Sequence, residues 1–442
     1  MENKKLLDKV KKDEIKFITL QFTDLLGVIK EIIIPVEELE DALEDGVWFD
    51  GSSIEGFARI QESDLYLKPD TSSFAIVPWL TEDGKTARLI CDICRPDGEP
   101  FEGDPRFILK KAAEEAKNLG YLFNVGPEPE FYLFRTGIEK RTQPLDYGGY
   151  FDLSSHEGYS VIKKIIAAME SFGIKVETSH NEVGLGQYEI DFHYGDCLDI
   201  ADKMVTLKYS AKKIAQMFDL NATFMPKPVM DMNGSGMHTH QSLFDIKSGT
   251  NAFFNKDDKY NLSKIAYNFI AGQIKHIGAM SAILCPTVNS YKRLVPGFEA
   301  PVYITWAAMN RSALLRVPKW FGAKSEAARI ELRCPDPACN PYLAFAVMLS
   351  AGIDGMKNDL SSPEPVEENI YDLDDESLVQ KNIDVLPSSL KEAVDELNKN
   401  KLIQNCLGEH LFERYIRVKT REWDEFKKQV TDWEIKTYLD TF

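Results

Sequence analysis

The run Gly126-Pro-Glu-Pro-Glu-Phe-Tyr-Leu-Phe134 sets two carboxylates, Glu128 and Glu130, in an otherwise apolar segment. Side chains two apart on a strand point to the same face, so these acids converge on one spot. Two close negative charges repel and lose hydration, a cost that a bound cation or a shared proton must offset. A divalent metal ion is the candidate; the bland alternative is an exposed edge strand with solvated acids. In His180-Asn-Glu-Val-Gly-Leu-Gly-Gln-Tyr-Glu-Ile-Asp191, Glu182 precedes and Glu189 follows a glycine turn signal. A hairpin there brings both acids to one side of a sheet. Asn233-Gly-Ser-Gly-Met-His-Thr-His240 is a glycine loop entering a strand, with His238 and His240 again two apart. Its glycines let backbone approach a ligand closely. No Gly-Lys-Ser/Thr follows, so it is not a P-loop, and no Rossmann fingerprint occurs.

Arg329-Ile-Glu-Leu-Arg333 alternates strictly, with Ile330 and Leu332 toward a core and Arg329, Glu331 and Arg333 on the other side. Two guanidiniums around a carboxylate form either a structural ladder or clamps for phosphate and substrate carboxylate around a metal ligand. Arg293, Arg311 and Arg316 stand in turn-flanked, loop-like settings where such clamps belong. Oxygen-rich ligation with a single imidazole and no thiolate suits Mg²⁺ or Mn²⁺ better than Zn²⁺. Metals together with arginines describe a phosphoryl-transfer site.

These residues need a scaffold, and the chain of 442 residues has the length for two domains of unequal size. From Glu14 to Arg95 short β-rich runs (17–22, 28–35, 74–78 and 87–93) surround one helix near Val36 to Glu44, predicting a small sheet domain. Pro96-Asp-Gly-Glu-Pro100 marks a boundary, which gives domains of 1–100 and 101–442. The second opens with Asp104 as N-cap, Pro105 in the first turn and Gly120 past the end of a helix. Helical patterns at 158–172, 200–218, 262–284 and 341–357 alternate with strand-like runs at 126–134, 174–194, 223–230, 236–244 and 329–333. The fold class is α+β. Residues 362–386 are acidic and weakly periodic, and amphipathic helices follow to the C-terminus.

Composition bounds the function. Hydrophobic residues at 44% and charged residues at 28% describe a globular chain, and 70 acidic against 52 basic residues give a net charge of −18, which argues against general nucleic-acid binding. Seven scattered cysteines fit a reducing compartment, and Cys91-Asp-Ile-Cys94 lacks the second half of a zinc site. Met1-Glu-Asn-Lys-Lys has no apolar signal region and no run reaches membrane-spanning length, so a cytoplasmic protein is expected.

Seven segments in order resemble those of type I glutamine synthetases over nearly the whole chain: 50–57, the Glu128/Glu130 strand, 182–190, 233–242, 292–301, 310–318 and 329–341. The resemblance implies an N-terminal β-grasp-like domain and a larger catalytic α/β domain with a curved, mainly antiparallel sheet. It implies that Glu130, Glu182 and Glu189 hold one metal ion and that Glu128, His238 and Glu331 hold a second. Asn233, Gly234, Arg293, Arg311 and Arg333 match positions for L-glutamate. Glu177, His240, Ser242, Arg316 and Arg329 match ATP positions, and Asp50, Ser53, Tyr150 and Glu299 match the ammonium pocket. The implied assembly is a homo-dodecamer of two stacked hexameric rings, with the Asp50 loop supplied by the neighbouring subunit.

The implied reaction makes L-glutamine from L-glutamate, ammonium and ATP through γ-glutamyl phosphate, with two or more Mg²⁺ or Mn²⁺ ions. Arg311, Arg316 and Arg329 would steady the transferred group, Asp50 would take a proton from ammonium, and Glu299 would close over the intermediate. A γ-glutamyl amine or polyamine ligase and a non-catalytic nitrogen-sensing homologue are the alternatives. The chain lacks room for the insertion of the adenylylated subgroup and resembles the shorter alpha subgroup. Tyr371 is followed by Asp-Leu-Asp-Asp, without the prolines expected after a modified tyrosine. Arg59 matches a position tied to glutamine feedback in the alpha subgroup, nitrogen-regulatory proteins are possible partners, and 319–328 has no clear match to a lysine that contacts ATP.

Overall fold

The structure, a computed structural model, describes residues 2–54, 64–137, 142–295, 300–310, 312–319, 325–373, 375–381 and 383–442. Arg59, Glu299 and Arg311 lie outside the described residues. Among the described residues, no helix is long and apolar enough to cross a membrane.

The N-terminal part is a sheet of β1 (Ile15–Thr23), β2 (Ile29–Pro35), β3 (Val47–Asp50), β4 (Asp64–Ile76) and β5 (Lys85–Cys94), in the order β2-β1-β5-β4-β3. β1 and β5 run parallel, and the other pairs are antiparallel. Ile18, Leu20 and Phe22 alternate along β1 into a core with Leu67 and Leu89, closed by Leu6 and Val10 of the helix Asn3–Lys12. Thr19 and Gln21 on the other face are buried as well. The run expected at 74–78 is the end of a longer strand, β4, whose pairing with β5 shifts between Asp70 and Ala75. That irregularity, which follows directly on Pro69, hides the first part of the strand in the sequence.

The larger part is built around β6 (Tyr121–Arg135), β7 (Val176–Asn181), β8 (Gln187–Phe192), β9 (Gly195–Asp196), β10 (Leu220–Thr223), β11 (Met237–Asp245), β12 (Trp306–Ala307), β13 (Leu315–Arg316) and β14 (Ile330–Leu332). The main path is β12-β13-β14-β11-β6-β8-β7. β6 is the spine: it pairs with β11 along 121–129, with β8 along 130–132 and with β10 along 132–135. The run expected at 223–230 is strand only to Thr223, because Pro226 and Pro228 have no N–H to give a neighbour. Behind the sheet, the helices Lys264–Leu284 and Pro341–Lys357 are buried almost throughout. Their backbones touch: a Cβ on Gly355 would lie 1.9 Å from the Asn268 carbonyl oxygen. Cys91 and Cys94 are buried free thiols on β5.

A buried ion network fastens the two parts together. Arg106 Nη2 contacts Asp70 of β4 at 2.8 Å and Asp202 of the helix Cys197–Met217 at 2.9 Å, while Nη1 contacts Asp92 of β5 at 2.5 Å. Beside it, Asp104 caps the helix Pro105–Asn118 by accepting from Arg106 N at 2.9 Å, and its other oxygen accepts from Ile93 N at 3.2 Å. Burial, then the Asp92 charge, pushes Asp104 up to about 7. A folded-state value above the ordinary 3.8 means that folding favours the protonated acid. The stability it lends is complete below 3.8 and is lost as the pH rises through about 7. Asp104→Asn, which keeps a capping oxygen, is therefore expected to flatten the fall of Tm across that window in thermal scans; an unchanged slope would contradict it.

Candidate active site

The pairing of four strands assembles the acids. His238 on β11 lies opposite Glu128 on β6, His240 lies opposite Glu331 on β14, and Glu130 on β6 lies opposite Glu189 on β8. β7 and β8 form the hairpin expected around Gly184 and Gly186, with His180 opposite Glu189. Gly186 has a φ of +72°, the left-handed turn conformation that glycine accommodates.

Among the described residues two groups of potential ligands result, each with its atoms within 4.8 Å of one another: Glu128, His238 and Glu331, and His180, Glu182 and Glu189. All six, with Glu130, line one cavity of about 460 Å³. Glu130 is outside the second close group; its Oε2 accepts from Gln187 Nε2 at 2.8 Å and from Gly236 N at 3.1 Å. His180 takes its place, with Nε2 3.2 Å from Glu189 and Nδ1 3.5 Å from Glu182. The signal for His180 was its spacing, two residues before Glu182, which directly follows the end of β7.

Surrounding charges set the state of each group. Glu331 is 1% exposed, yet Arg333 Nη1 at 2.6 Å and Arg316 Nη1 at 2.9 Å hold its two oxygens. Burial pushes Glu331 up, but Arg333 and the two histidines outweigh it and keep the carboxyl below its ordinary range. Burial acts likewise on Glu128, and hydrogen bonds with His238 and His240 carry it well below. His238 is driven down by burial and then by Arg333, which favours the neutral imidazole that a metal ion requires. His240 Nδ1 accepts from Arg329 Nε at 3.3 Å, so its Nε2–H is free to donate to Glu128 at 2.8 Å. On the other side of the site, burial followed by Glu189 and Glu182 raises Glu130 well above the usual range. Burial and the neighbouring acids, Asp191 first, push Glu189 up to about 10.

Carboxylates and one imidazole per group, with no thiolate, fit an oxygen-preferring divalent cation. Burial and mutual repulsion raise Glu130 and Glu189, and a cation would offset both.

A second cavity, of about 530 Å³, adjoins the first through Glu128 and Asp191. Glu177, His240, Ser242 and Arg329 line it, four of the five residues expected to meet ATP; the fifth, Arg316, faces the metal-ligand cavity. Glu326, Ala327 and Ala328 line it too, whereas 320–324 lie outside the described residues. Of the residues expected to meet substrate, Asn233, Gly234, Arg293, Arg333 and Tyr150 line the metal-ligand cavity. Arg293 is 3% exposed, its Nη1 donating to the Cys334 carbonyl at 2.7 Å and its Nη2 to the Arg333 carbonyl at 3.1 Å. Asp50 and Ser53 line neither cavity. Asp50 is exposed at the end of β3, where hydrogen bonds from Ser52 and Ser53 hold its carboxyl below the ordinary range. Tyr371 donates its hydroxyl to the Ala300 carbonyl at 2.9 Å, a bond that modification of that oxygen would remove.

Filling the second ligand group must displace protons from the acids whose values are raised, Glu189 foremost. Calorimetric Mn²⁺ titrations in buffers of different ionisation enthalpy at pH 7 are expected to register proton release, and affinity is expected to climb with pH toward about 10. Binding with no proton release would contradict this electrostatic picture.

Comparison with known proteins agrees with the geometry. The family model described as glutamine synthetase, beta-Grasp domain, matches residues 14–96, and the one described as glutamine synthetase, catalytic domain, matches 102–438. A glutamine synthetase of Clostridium saccharobutylicum is 50% identical over 440 residues, covering 99% of this chain and 98% of that protein. One from Thermotoga maritima is 49% identical over 97% of this chain and 98% of its own length. Among solved structures, a GmaS/ADP complex superposes with a TM-score of 0.89 at 31% identity, covering 98% of this chain and 99% of that one. Plasmodium falciparum glutamine synthetase superposes with a TM-score of 0.88 at 28% identity over 99% of both chains. Sharing half its residues with such enzymes over nearly their full length, and gathering its acids on one sheet face, the chain belongs to the glutamine synthetase family.

Proposed function

We propose that the two adjoining cavities divide the work of a glutamate–ammonia ligase, the larger one holding ATP and the smaller one L-glutamate. The ligase activity, with its use of ATP and divalent cations, follows from membership of the family. The observation that carries the site reading is the pair of ligand groups in one cavity, formed by residues from β6, β7, β8, β11 and β14 and the turn after β7. In this reading Glu128, His238 and Glu331 hold one cation, and Glu182 and Glu189 hold the other, with Glu130 facing the same cavity. Bound cations supply charge neutralisation for the phosphate oxygens.

The protein's own groups do the positioning. Arg316 and Arg333 fix both oxygens of Glu331, so that ligand is pre-oriented. Arg293, Arg333, Asn233 and Gly234 meet the carboxylate and ammonium groups of glutamate and aim its γ-carboxylate at the terminal phosphorus of ATP. Glu177, His240, Ser242 and Arg329 meet the nucleotide; Arg316 and Arg329, with Arg311, steady the transferred phosphoryl group. The phosphoryl passes to glutamate, ADP leaves, and ammonia displaces phosphate from γ-glutamyl phosphate to give the amide. Asp50 accepts the proton of ammonium, Ser53 and Tyr150 bound its pocket, and Glu299 keeps water from the acyl phosphate.

Asp50 stands in the small domain outside both cavities, which supports its being supplied by a neighbouring subunit. We place the domain boundary at 100/101 and infer a dodecamer of two stacked hexameric rings in the cytoplasm. Exposed apolar side chains on the small sheet domain, Ile33 at 58% and Trp48 at 54%, and Leu439 at 72% near the C-terminus, suit subunit contacts.

The test is glutamine formation with ATP, ammonium, glutamate and the divalent cation omitted in turn, and with small amines offered in place of ammonium. Only the complete mixture with ammonium should give product at full rate; turnover without a cation, or a preference for a larger amine, would overturn the reading. Glu331→Ala should weaken cation-dependent ATP binding by about tenfold or more, since it also strips two arginines of their partner. Asp50→Ala should lower amide formation far more than nucleotide binding, and an equal loss of both would reject its role as base.

A further inference from the structure

Gln187 is a neutral side chain between two functional groups that nothing above assigns a task. It is 1% exposed at the start of β8, and each of its side-chain atoms has a partner. Its Oε1 accepts from Gly184 N at 3.0 Å, which leaves Nε2 as the end turned toward the site. Nε2 donates to Oε2 of Glu130 at 2.8 Å and to the Gly234 carbonyl at 3.1 Å, with Ser235 Oγ at 3.4 Å. One amide nitrogen carries two hydrogens, so one can serve the carboxylate and the other the glycine loop at the same time. The loop is attached to β6 independently: Glu130 N donates to the Gly236 carbonyl at 3.0 Å, and Tyr132 Oη to the Asn233 carbonyl at 2.6 Å. Space there is short, since a Cβ on Gly236 would lie 2.7 Å from Arg293 Nη2 and 3.3 Å from Glu130 Oε1.

We propose that Gln187 is a positioning residue that couples L-glutamate at the glycine loop to cation binding at the Glu130 side of the cavity. The inference rests on the site reading above, in which Asn233 and Gly234 meet glutamate. With Oε2 of Glu130 tied to Gln187 and Gly236, its Oε1 is the oxygen left for a cation, and the direction of that oxygen depends on where the loop holds the amide. Glutamate that draws on the loop through Asn233 and Gly234 therefore bears on the aim of the carboxylate, and by linkage a bound cation tightens the site for glutamate by the same factor. A residue that only supported the fold would weaken both ligands without altering the factor that connects them.

Mn²⁺ binding to the full-length enzyme, followed by electron paramagnetic resonance with and without saturating L-glutamate, measures that factor. Wild type is expected to bind Mn²⁺ about fivefold or more tightly with glutamate present. Gln187→Glu keeps the acceptor for Gly184 but offers at most one hydrogen, so it cannot serve Glu130 and Gly234 together. It should bring the factor to near one, and Gln187→Met, which has no hydrogen to donate, should do the same. A factor retained in a folded variant, or a wild type that binds both ligands without coupling, overturns the inference while leaving the site reading intact. A wild type that binds no Mn²⁺ removes both.

Discussion

The structure depends on one electrostatic constraint: at least six carboxylates must be kept close together on a sheet face that water reaches poorly. Like charges at such spacing repel strongly where the dielectric is low, and each loses hydration. The two sides of the site meet this constraint differently. Around Glu331, two arginines compensate the charge and hydrogen bonds from two histidines serve Glu128, so both carboxyls are held below the ordinary range. Around Glu130 and Glu189 burial and the neighbouring acids outweigh Arg293 and the Gly236 N–H, and both acids are pushed upward. One half is a preformed anionic socket, and the other carries the charge conflict that a cation would relieve.

A cluster under this strain survives because the backbone beneath it leaves little choice. β6 contributes carboxylates two residues apart while exchanging hydrogen bonds with β11 on one part of its length and β8 on another. A one-residue slip of either partner would turn its ligands to the opposite face. The register is fixed by what lies behind: Phe131, Leu133, Tyr188 and Ile190 are buried in the large core, so the same alternation that brings the acids together fills the interior. The closely packed helices Lys264–Leu284 and Pro341–Lys357 add a rigid backing, with glycine at the points where their backbones meet.

Much of this was legible in the sequence because strand geometry has a period of two. Glu128 with Glu130, His238 with His240, and Glu331 between Arg329 and Arg333 all show that spacing, and the structure puts each set on the site side of its strand. The same spacing links His180 to Glu182, but a lone imidazole beside a turn is more often structural than a ligand. His238 and His240 share a face yet serve different cavities, a distinction that depends on β14 and Arg329 and not on local pattern. Gln187 carried no signal, since an uncharged amide in a hairpin is an ordinary turn residue until the carboxylate beside it is seen. In the small domain, the parallel pairing of β1 with β5 joins residues about seventy positions apart, and no alternation of side chains announces it. The long β4 was obscured by Pro69 and by its shift in register.

The separation of small and large domains matters for the same reason. Asp50, the one acid expected to handle a proton of ammonium, stands on the small sheet away from the ligand groups, where Ser52 and Ser53 satisfy it. Within one subunit it adds no further charge to the crowded cavity. The Arg106 network, which binds three aspartates from both parts, holds that sheet in place on the catalytic domain.

The central claim is that distant acids surround two cations in one cavity, and anomalous X-ray scattering from crystals grown with Mn²⁺ tests it most directly. The account predicts two peaks in the cavity, one among Glu128, His238 and Glu331 and one against Glu182 and Glu189, the latter also showing whether Glu130 or His180 completes the set. Mn²⁺ bound only elsewhere on the chain, or a single ion in that cavity at saturating metal, would contradict it.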